Sequence, residues 1–172
     1  MSKLLAGMAG LMLAAAMPVG ARAAVLGPDP AACQGDGPAM LVRIEGLKKR
    51  AGMLRVQSYG GDPRRYFDKG SYLRRIEFPV PASGPVDVCV PVPGNGTYAV
   101  SVRHDVDASG KTGMSDGGGM SGNPQMSLFD VLFKRKPEPG KVQVNVNGVT
   151  RVPVVMNYIQ GGAFGPIAMA SR

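Results

Sequence analysis

GNGTYAVSVRHDVDASGKTGMSD, residues Gly94 to Asp116, carries the clearest structural signal in the chain. From Thr97 to His104 the side chains alternate, with Tyr98, Val100 and Val102 on one face and Thr97, Ala99, Ser101 and Arg103 on the other. That is the period of a half-buried β-strand. Asn95-Gly96 ahead of it tolerates positive φ, so the preceding valine-rich run is expected to fold back as a hairpin.

Beyond the strand, Asp105, Asp107 and Ser109 occupy every second position and Gly110 follows, giving D-x-D-x-S-G. Calcium is a hard cation that takes six to eight oxygens, and this spacing lets carboxylates and a hydroxyl converge while glycine makes the sharp turn. Continuing the count as in an EF-hand, the Lys111 carbonyl takes the seventh place and Asp116 the twelfth. Calcium is therefore the candidate cofactor, with Asp105, Asp107, Ser109, Lys111 and Asp116 as ligands. Three features depart from the pattern: Asp in place of the longer Glu at position twelve, no flanking helices, and the nearby Lys111 charge. The alternative is a polar turn whose Asp and Ser side chains cap their own backbone.

His104, the one histidine, continues the inward phase of Val100 and Val102. With Asp105 it forms a candidate ligand-binding pair. A buried imidazole bonded to loop backbone fits the same position, and a general base would need partners that the sequence does not supply. Ser101, Ser115 and Ser121 are available as nucleophiles for a hydrolase, but none lies in a G-x-S-x-G context. No catalytic residue is assigned.

Met1 to Ala23 reads as a secretory signal, with Lys3 in the n-region, an apolar core from Leu4 to Met17 and an Ala21-Arg22-Ala23 cleavage site. The apolar core is short for a membrane span, and no later stretch approaches the needed length. The expected product is a periplasmic or secreted protein. The chain has 20 Lys and Arg against 12 Asp and Glu. Removing Lys3 and Arg22 with the signal still leaves an excess of basic groups, and export favours an anionic envelope polymer or lipid surface over nucleic acid as partner. Cys33 and Cys89 are the two cysteines, and in an oxidising compartment they are expected to pair.

The expected organisation is a signal over 1–23, an extended arm over 24–38, a β-domain over 39–159 and a loose tail over 160–172. Strands are expected around Met40–Ile44 and Leu54–Tyr59, joined as a hairpin, then at Ile76–Val80, Val86–Val92 and Thr97–His104. Pro79 and Pro81 push the Ile76 strand towards a sheet edge. In Val86–Val92 the valines take the core, so Cys89 faces away. Tyr66 and Phe67 are read as packing a loop on the core, with a binding surface beside Arg64 and Arg65 as the alternative. GGGMSGNP, residues 117–124, is expected to be the most flexible stretch, and its length is that of a functional loop behind the acidic one rather than a simple turn. Leu128–Phe133 is either a short strand or a helical turn, and Lys134-Arg135-Lys136 is a solvated charge run. Val142–Val146 and Val152–Tyr158 flank Asn147-Gly148, the strongest hairpin signal in the chain. The fold class is all-β: an antiparallel sandwich of seven to eight strands, immunoglobulin-like or prealbumin-like.

Several segments occur in an order that resembles an exported bacterial family, domain of unknown function 2141. They are Glu45-Gly46-Leu47, Gly96-Thr97-Tyr98-Ala99-Val100-Ser101-Val102-Arg103-His104-Asp105, Asp107 to Lys111, Gly119-Met120-Ser121-Gly122-Asn123 and Met156-Asn157-Tyr158. The resemblance spans roughly Met40 to Tyr158. It implies export and a β-sandwich, and it implies no activity, because none is assigned to the family. Ser115-Asp116-Gly117-Gly118-Gly119 stands where the family carries Ile-Pro-x-Glu, and the cysteine pair is not a general family feature. The expected role is a binding or structural module of the cell envelope, with a hydrolase using His104 and Asp105, or a basic polymer-binding protein, as alternatives.

Overall fold

In a computed structural model, residues 24–167 are described; the expected signal segment lies outside them. They form eleven strands in two sheets. The strands are β1 (Val25–Leu26), β2 (Ala39–Glu45), β3 (Met53–Tyr59), β4 (Arg74–Pro79), β5 (Val86–Pro91), β6 (Gly96–Asp105), β7 (Gly117–Met120), β8 (Val144–Val146), β9 (Val149–Val155), β10 (Asn157–Gln160) and β11 (Ala163–Pro166). One short helix, α1 (Leu128–Leu132), follows β7.

The smaller sheet runs β1-β5-β2-β9, and the larger runs β11-β10-β7-β6-β3-β4, with β8 beside β7 on the same edge of β6. Most pairings are antiparallel, but β2–β9 and β1–β5 are parallel. The expected all-β sandwich is present, with more strands than the expected seven to eight. The additions are short, glycine-rich or terminal segments that carry little period-two signal.

Alternation fixes the core. Met40, Val42 and Ile44 of β2 and Val86, Val88 and Val90 of β5 face Leu54, Val56, Tyr98, Val100 and Val102 across the gap, all buried. Each such aliphatic side chain contributes about 1.5–3 kcal/mol on leaving water. Pro79 ends β4 at the edge of its sheet, as expected, and Pro153 is tolerated because β9 is also an edge strand.

Three expected hairpins are instead crossings between sheets. β2 and β3 lie in opposite sheets, as do β5 and β6 across Asn95-Gly96. Asn147-Gly148 sends β8 to β6 and β9 to β2. The two Asn-Gly turns sit together, the Gly148 N–H donating to Asn95 Oδ1 at 3.1 Å.

The arm is less irregular than expected. β1 adds to the open edge of β5, a 3-10 turn follows at Pro30–Cys33, and Cys33 bonds Cys89. Cys89 is buried on the face of β5 away from the valine core. Arg74 of β4 pairs with Asp29, so the arm is tied to both sheets. The described part of the expected loose tail is paired: Gln160 ends β10, and β11 folds back on it as an antiparallel pair.

Candidate functional site

The acidic loop gathers its carboxylates around its own backbone N–H groups. Asp105 accepts the Ser109 N–H at 3.1 Å on Oδ1 and the Gly110 N–H at 2.8 Å on Oδ2. Asp107 Oδ1 accepts the same Ser109 N–H at 3.1 Å. Asp116 accepts from the Val106 N–H at 3.1 Å and the Gly113 N–H at 2.9 Å. The Ser109 hydroxyl donates to the Lys111 carbonyl at 3.3 Å, and Gly110 makes the turn with φ of 75°. Hydrogen bonding from Ser109 holds the Asp107 carboxyl below the usual carboxylate range. One oxygen from each of Asp105, Asp107 and Asp116 lies within 4.8 Å of the others.

A cation already stands among them. Arg103 Nη2 is 3.2 Å from Asp105 Oδ2 and 3.4 Å from Asp116 Oδ2, and it donates to the Lys111 carbonyl. Arg103 leaves β6 on the same outward face as Asp105, two residues on, which places its guanidinium over the loop. The side chains of Asp105 and Asp116 are almost fully covered, so this attraction is less screened than on an open surface.

His104 points the other way, into the sandwich, and is fully buried. Nε2 is 2.8 Å from the Ala51 carbonyl, which can only accept, so Nε2 carries the proton. Nδ1 then accepts from the Tyr158 hydroxyl at 2.7 Å, and that oxygen accepts the Lys48 N–H at 3.2 Å. Burial pushes the Tyr158 phenol above its ordinary value, with the Lys48 bond opposing. Both ring nitrogens are thus engaged in holding the β2–β3 connection and β10 against β6. Ser101 faces outward, 3.4 Å from the Tyr59 hydroxyl, and Ser121 accepts the Val100 N–H at 2.9 Å and donates to the Val142 carbonyl. Neither touches His104. Asp105 joins the loop outside while His104 joins the core, so the expected ligand-binding pair is divided between opposite faces of β6.

GGGMSGNP is strand and clamp rather than a flexible loop. Gly117 and Gly119 face inward, where an added Cβ would lie 2.3 Å from the Tyr158 ring and 2.7 Å from Val154. Ser121 ties the segment to β6, and Asn123 Oδ1 accepts the Val155 N–H at 2.8 Å. Gly122 has φ of 73°, and its missing Cβ lets the Lys141 carbonyl approach.

Gly118 faces outward and floors a groove that joins the glycine segment to Phe67 of the 60–73 loop. Loop 60–73 and segment 124–142 stand on this outer face of the larger sheet. Tyr59, Tyr66, Ala99 and Val142 form a second small core there, packed by Phe67, Tyr72 and Met120. Lys136 joins the two walls, donating at 2.7 Å to both the Arg64 carbonyl and Asp68. The groove has a volume of about 340 Å³ and is lined by Phe67, Met120, Met126, Val131, Ile159 and Phe164, among others. Arg103 and Asp116 stand at its acidic-loop side, and Lys134, Arg135 and Lys136 also line it. That volume lies in the range of small-molecule sites.

The helical wall had one usable sequence signal. Ser127-Leu128-Phe129-Asp130 is a capping box: the Asp130 N–H donates to Ser127 Oγ at 3.2 Å, and the Ser127 N–H donates to Asp130 Oδ2 at 2.9 Å. Hydrogen bonding from Ser127 holds the Asp130 carboxyl below its ordinary range. Leu128–Phe133 is therefore the helical turn, not the strand.

Among the described residues no helix is long and apolar enough to cross a membrane. The sequence profile of the family described as "uncharacterized protein conserved in bacteria", domain of unknown function 2141, matches residues 42–152. No curated protein and no solved structure matches the chain.

Proposed function

The chain belongs to this uncharacterised bacterial family, and from that premise we propose that it is an exported, non-enzymatic binding module of the cell envelope whose groove takes an anionic amphiphile. The groove carries the proposal: a side-chain-free floor at Gly118, apolar walls, and three consecutive cations beside them. An apolar body would lie over β7 while a carboxylate or phosphate group meets Lys134, beside Arg135 and Lys136, which are already paired with Asp130 and Asp68. The Cys33–Cys89 disulfide supports an oxidising, extracytoplasmic compartment.

The test is a fluorescence titration with cis-parinaric acid as the probe, comparing wild type with Gly118→Leu. A Cβ at Gly118 meets nothing nearer than the Val102 carbonyl at 4.0 Å, so the substitution fills the groove without disturbing the core. Saturable binding by wild type, lost in Gly118→Leu at unchanged melting temperature, supports the reading. Probe affinity within about twofold between the two proteins removes the groove from consideration.

A second reading rests on the converged carboxylates: the loop binds calcium, which orders it beside the groove. Arg103 bears against this reading, since an ion must share or take its place. A calcium-dependent rise in melting temperature, about 2.7 kcal/mol at a hundredfold excess over Kd, that Asp105→Ala and Asp107→Ala abolish would establish the ion. No shift at millimolar calcium would leave Arg103 as the loop's counter-charge. The hydrolase alternative would need His104 released from both of its hydrogen bonds.

A further inference from the structure

Five large hydrophobic side chains are strongly exposed among the described residues, and three of them, Phe129, Leu132 and Phe133, sit in one five-residue stretch at 66, 54 and 68% exposure. None of the three lines the groove; Asp130, Val131 and Lys134 of the same turn do. The outer side of α1 therefore presents apolar surface that the groove reading does not use.

This knob is built rigidly. The capping box fixes its start. Its end is a Schellman closure, with the Arg135 N–H donating to the Asp130 carbonyl at 2.8 Å and the Lys134 N–H to the Val131 carbonyl at 3.2 Å. Lys134 takes φ of 52° to make that reversal, a conformation unfavourable for a side-chain-bearing residue and held here by the surrounding bonds. Phe129 and Phe133 stack with ring centroids 6.5 Å apart. Backbone strain and apolar exposure thus coincide in one short segment.

Its surroundings are basic. Segments 62–71 and 127–141, which Lys136 ties together, carry seven Lys and Arg against four Asp and Glu; Arg64, Arg135, Lys136 and Lys141 are paired with those four acids, which leaves Arg65, Lys69 and Lys134 for lipid phosphates. We propose that this face docks on an anionic lipid bilayer, with Phe129, Leu132 and Phe133 inserted at the headgroup boundary and the surrounding cations on lipid phosphates. Aromatic and aliphatic side chains beside Lys and Arg suit that boundary, where apolar burial and surface potential act together. Two arguments favour a bilayer over a second copy of the chain. The knob offers roughly 350 Å² of apolar surface, taking about 200 Å² for a whole aromatic side chain, against about 450 Å² of apolar surface per partner in a stable dimer, which is about 57% of about 800 Å². A second copy would also bring the same positive charge against it. The proposal needs Phe129, Leu132 and Phe133, none of which lines the groove, although Lys134 to Lys136 border both surfaces.

The chain has no tryptophan, so Phe133→Trp installs a single reporter at the tip. The oxidised mature protein is mixed with vesicles of phosphatidylcholine alone or with added phosphatidylglycerol, and binding is read by co-sedimentation and by tryptophan emission. The expected result is about tenfold stronger binding to the anionic vesicles, a blue-shifted emission, and weakening as salt shortens the Debye length. The double variant Phe129→Ser/Phe133→Ser should lose that binding with its melting temperature retained, because both residues are exposed. Gly118→Leu should bind vesicles as wild type does, which separates this proposal from the groove. Equal or absent binding to the two vesicle types overturns it. Undiminished binding by the double variant overturns the insertion, leaving charge adsorption alone. A concentration-dependent blue shift without lipid, accompanied by dimer on sedimentation, would give the face to a second copy instead.

Discussion

Replacing Tyr158 by Phe keeps the ring that packs under Gly117 and removes one oxygen. That oxygen donates to His104 Nδ1 at 2.7 Å and accepts the Lys48 N–H at 3.2 Å. His104 cannot adjust, because moving its proton to Nδ1 strips the Ala51 carbonyl of its donor at 2.8 Å. Either tautomer leaves at least one buried group unsatisfied, at about 1–3 kcal/mol, and the Lys48 N–H adds about 0.5–1 kcal/mol. The expected loss is about 1.5–4 kcal/mol, or about 4–12 °C in melting temperature for a domain of this size. Urea unfolding of the oxidised protein, with m unchanged, measures it. A double-mutant cycle gives the sharper result. In a His104→Ala background Nδ1 is already gone, so Tyr158→Phe should cost much less, with a coupling of about 1–2 kcal/mol. A single-variant cost below about 0.5 kcal/mol, or additive costs across the cycle, would refute the network.

Three further outcomes follow from the geometry. Gly117→Ala drives a Cβ into the Tyr158 ring at 2.3 Å, whereas Gly118→Ala meets open groove, so thermal unfolding should show about 2–4 kcal/mol lost in the first and little change or a small gain in the second. Cys33→Ser/Cys89→Ser opens a loop spanning 56 residues, and chemical denaturation should show about 4 kcal/mol lost on the chain-entropy account. Burial raises the folded pKa of Tyr158 and Tyr59 above their ordinary value of 10.0. Their stabilisation is therefore fully present below the unfolded value and lost as pH climbs from there towards the folded values, so melting temperature should decline above about pH 10; a flat profile through pH 11 would contradict it.

The strands were legible because each buries one face: Val100 and Val102 in β6 and Val86, Val88 and Val90 in β5 alternate without interruption. Their pairing was not. Asn95-Gly96 and Asn147-Gly148 do mark reversals, but a reversal within a sheet and one between sheets leave the same apolar alternation. In a sandwich either path buries the valines, so turn residues report where the chain reverses and not which sheet receives it. Gly117 to Asn123 reads as a loop for a related reason. Glycine normally weakens a strand, yet here the bulk of Tyr158 and Val154 occupies the space that side chains on β7 would need. That information lies about forty residues downstream. The groove inherited the same blindness, since its floor is Gly118 and its walls come from two loops joined by Lys136.

The acidic loop shows where sequence period could have carried further. In β6 the outward positions are Ser101, Arg103 and Asp105, so alternation alone places a guanidinium on the face where D-x-D-x-S-G begins. Reading the loop as three carboxylates around a vacancy overlooks that cation, which the strand delivers as reliably as it delivers Asp105. With Arg103 counted, Asp105, Asp107 and Asp116 leave an excess of two negative charges, enough to attract calcium but not to require it. The two readings differ most at Arg103 itself. If its guanidinium is the loop's counter-charge, Arg103→Met should destabilise the protein without calcium, because Asp105 and Asp116 are nearly covered and lose their partner. If calcium is the intended occupant, the same substitution should tighten the ion's binding by removing a competitor. A single variant titrated with and without calcium separates an ion site from an internally neutralised turn.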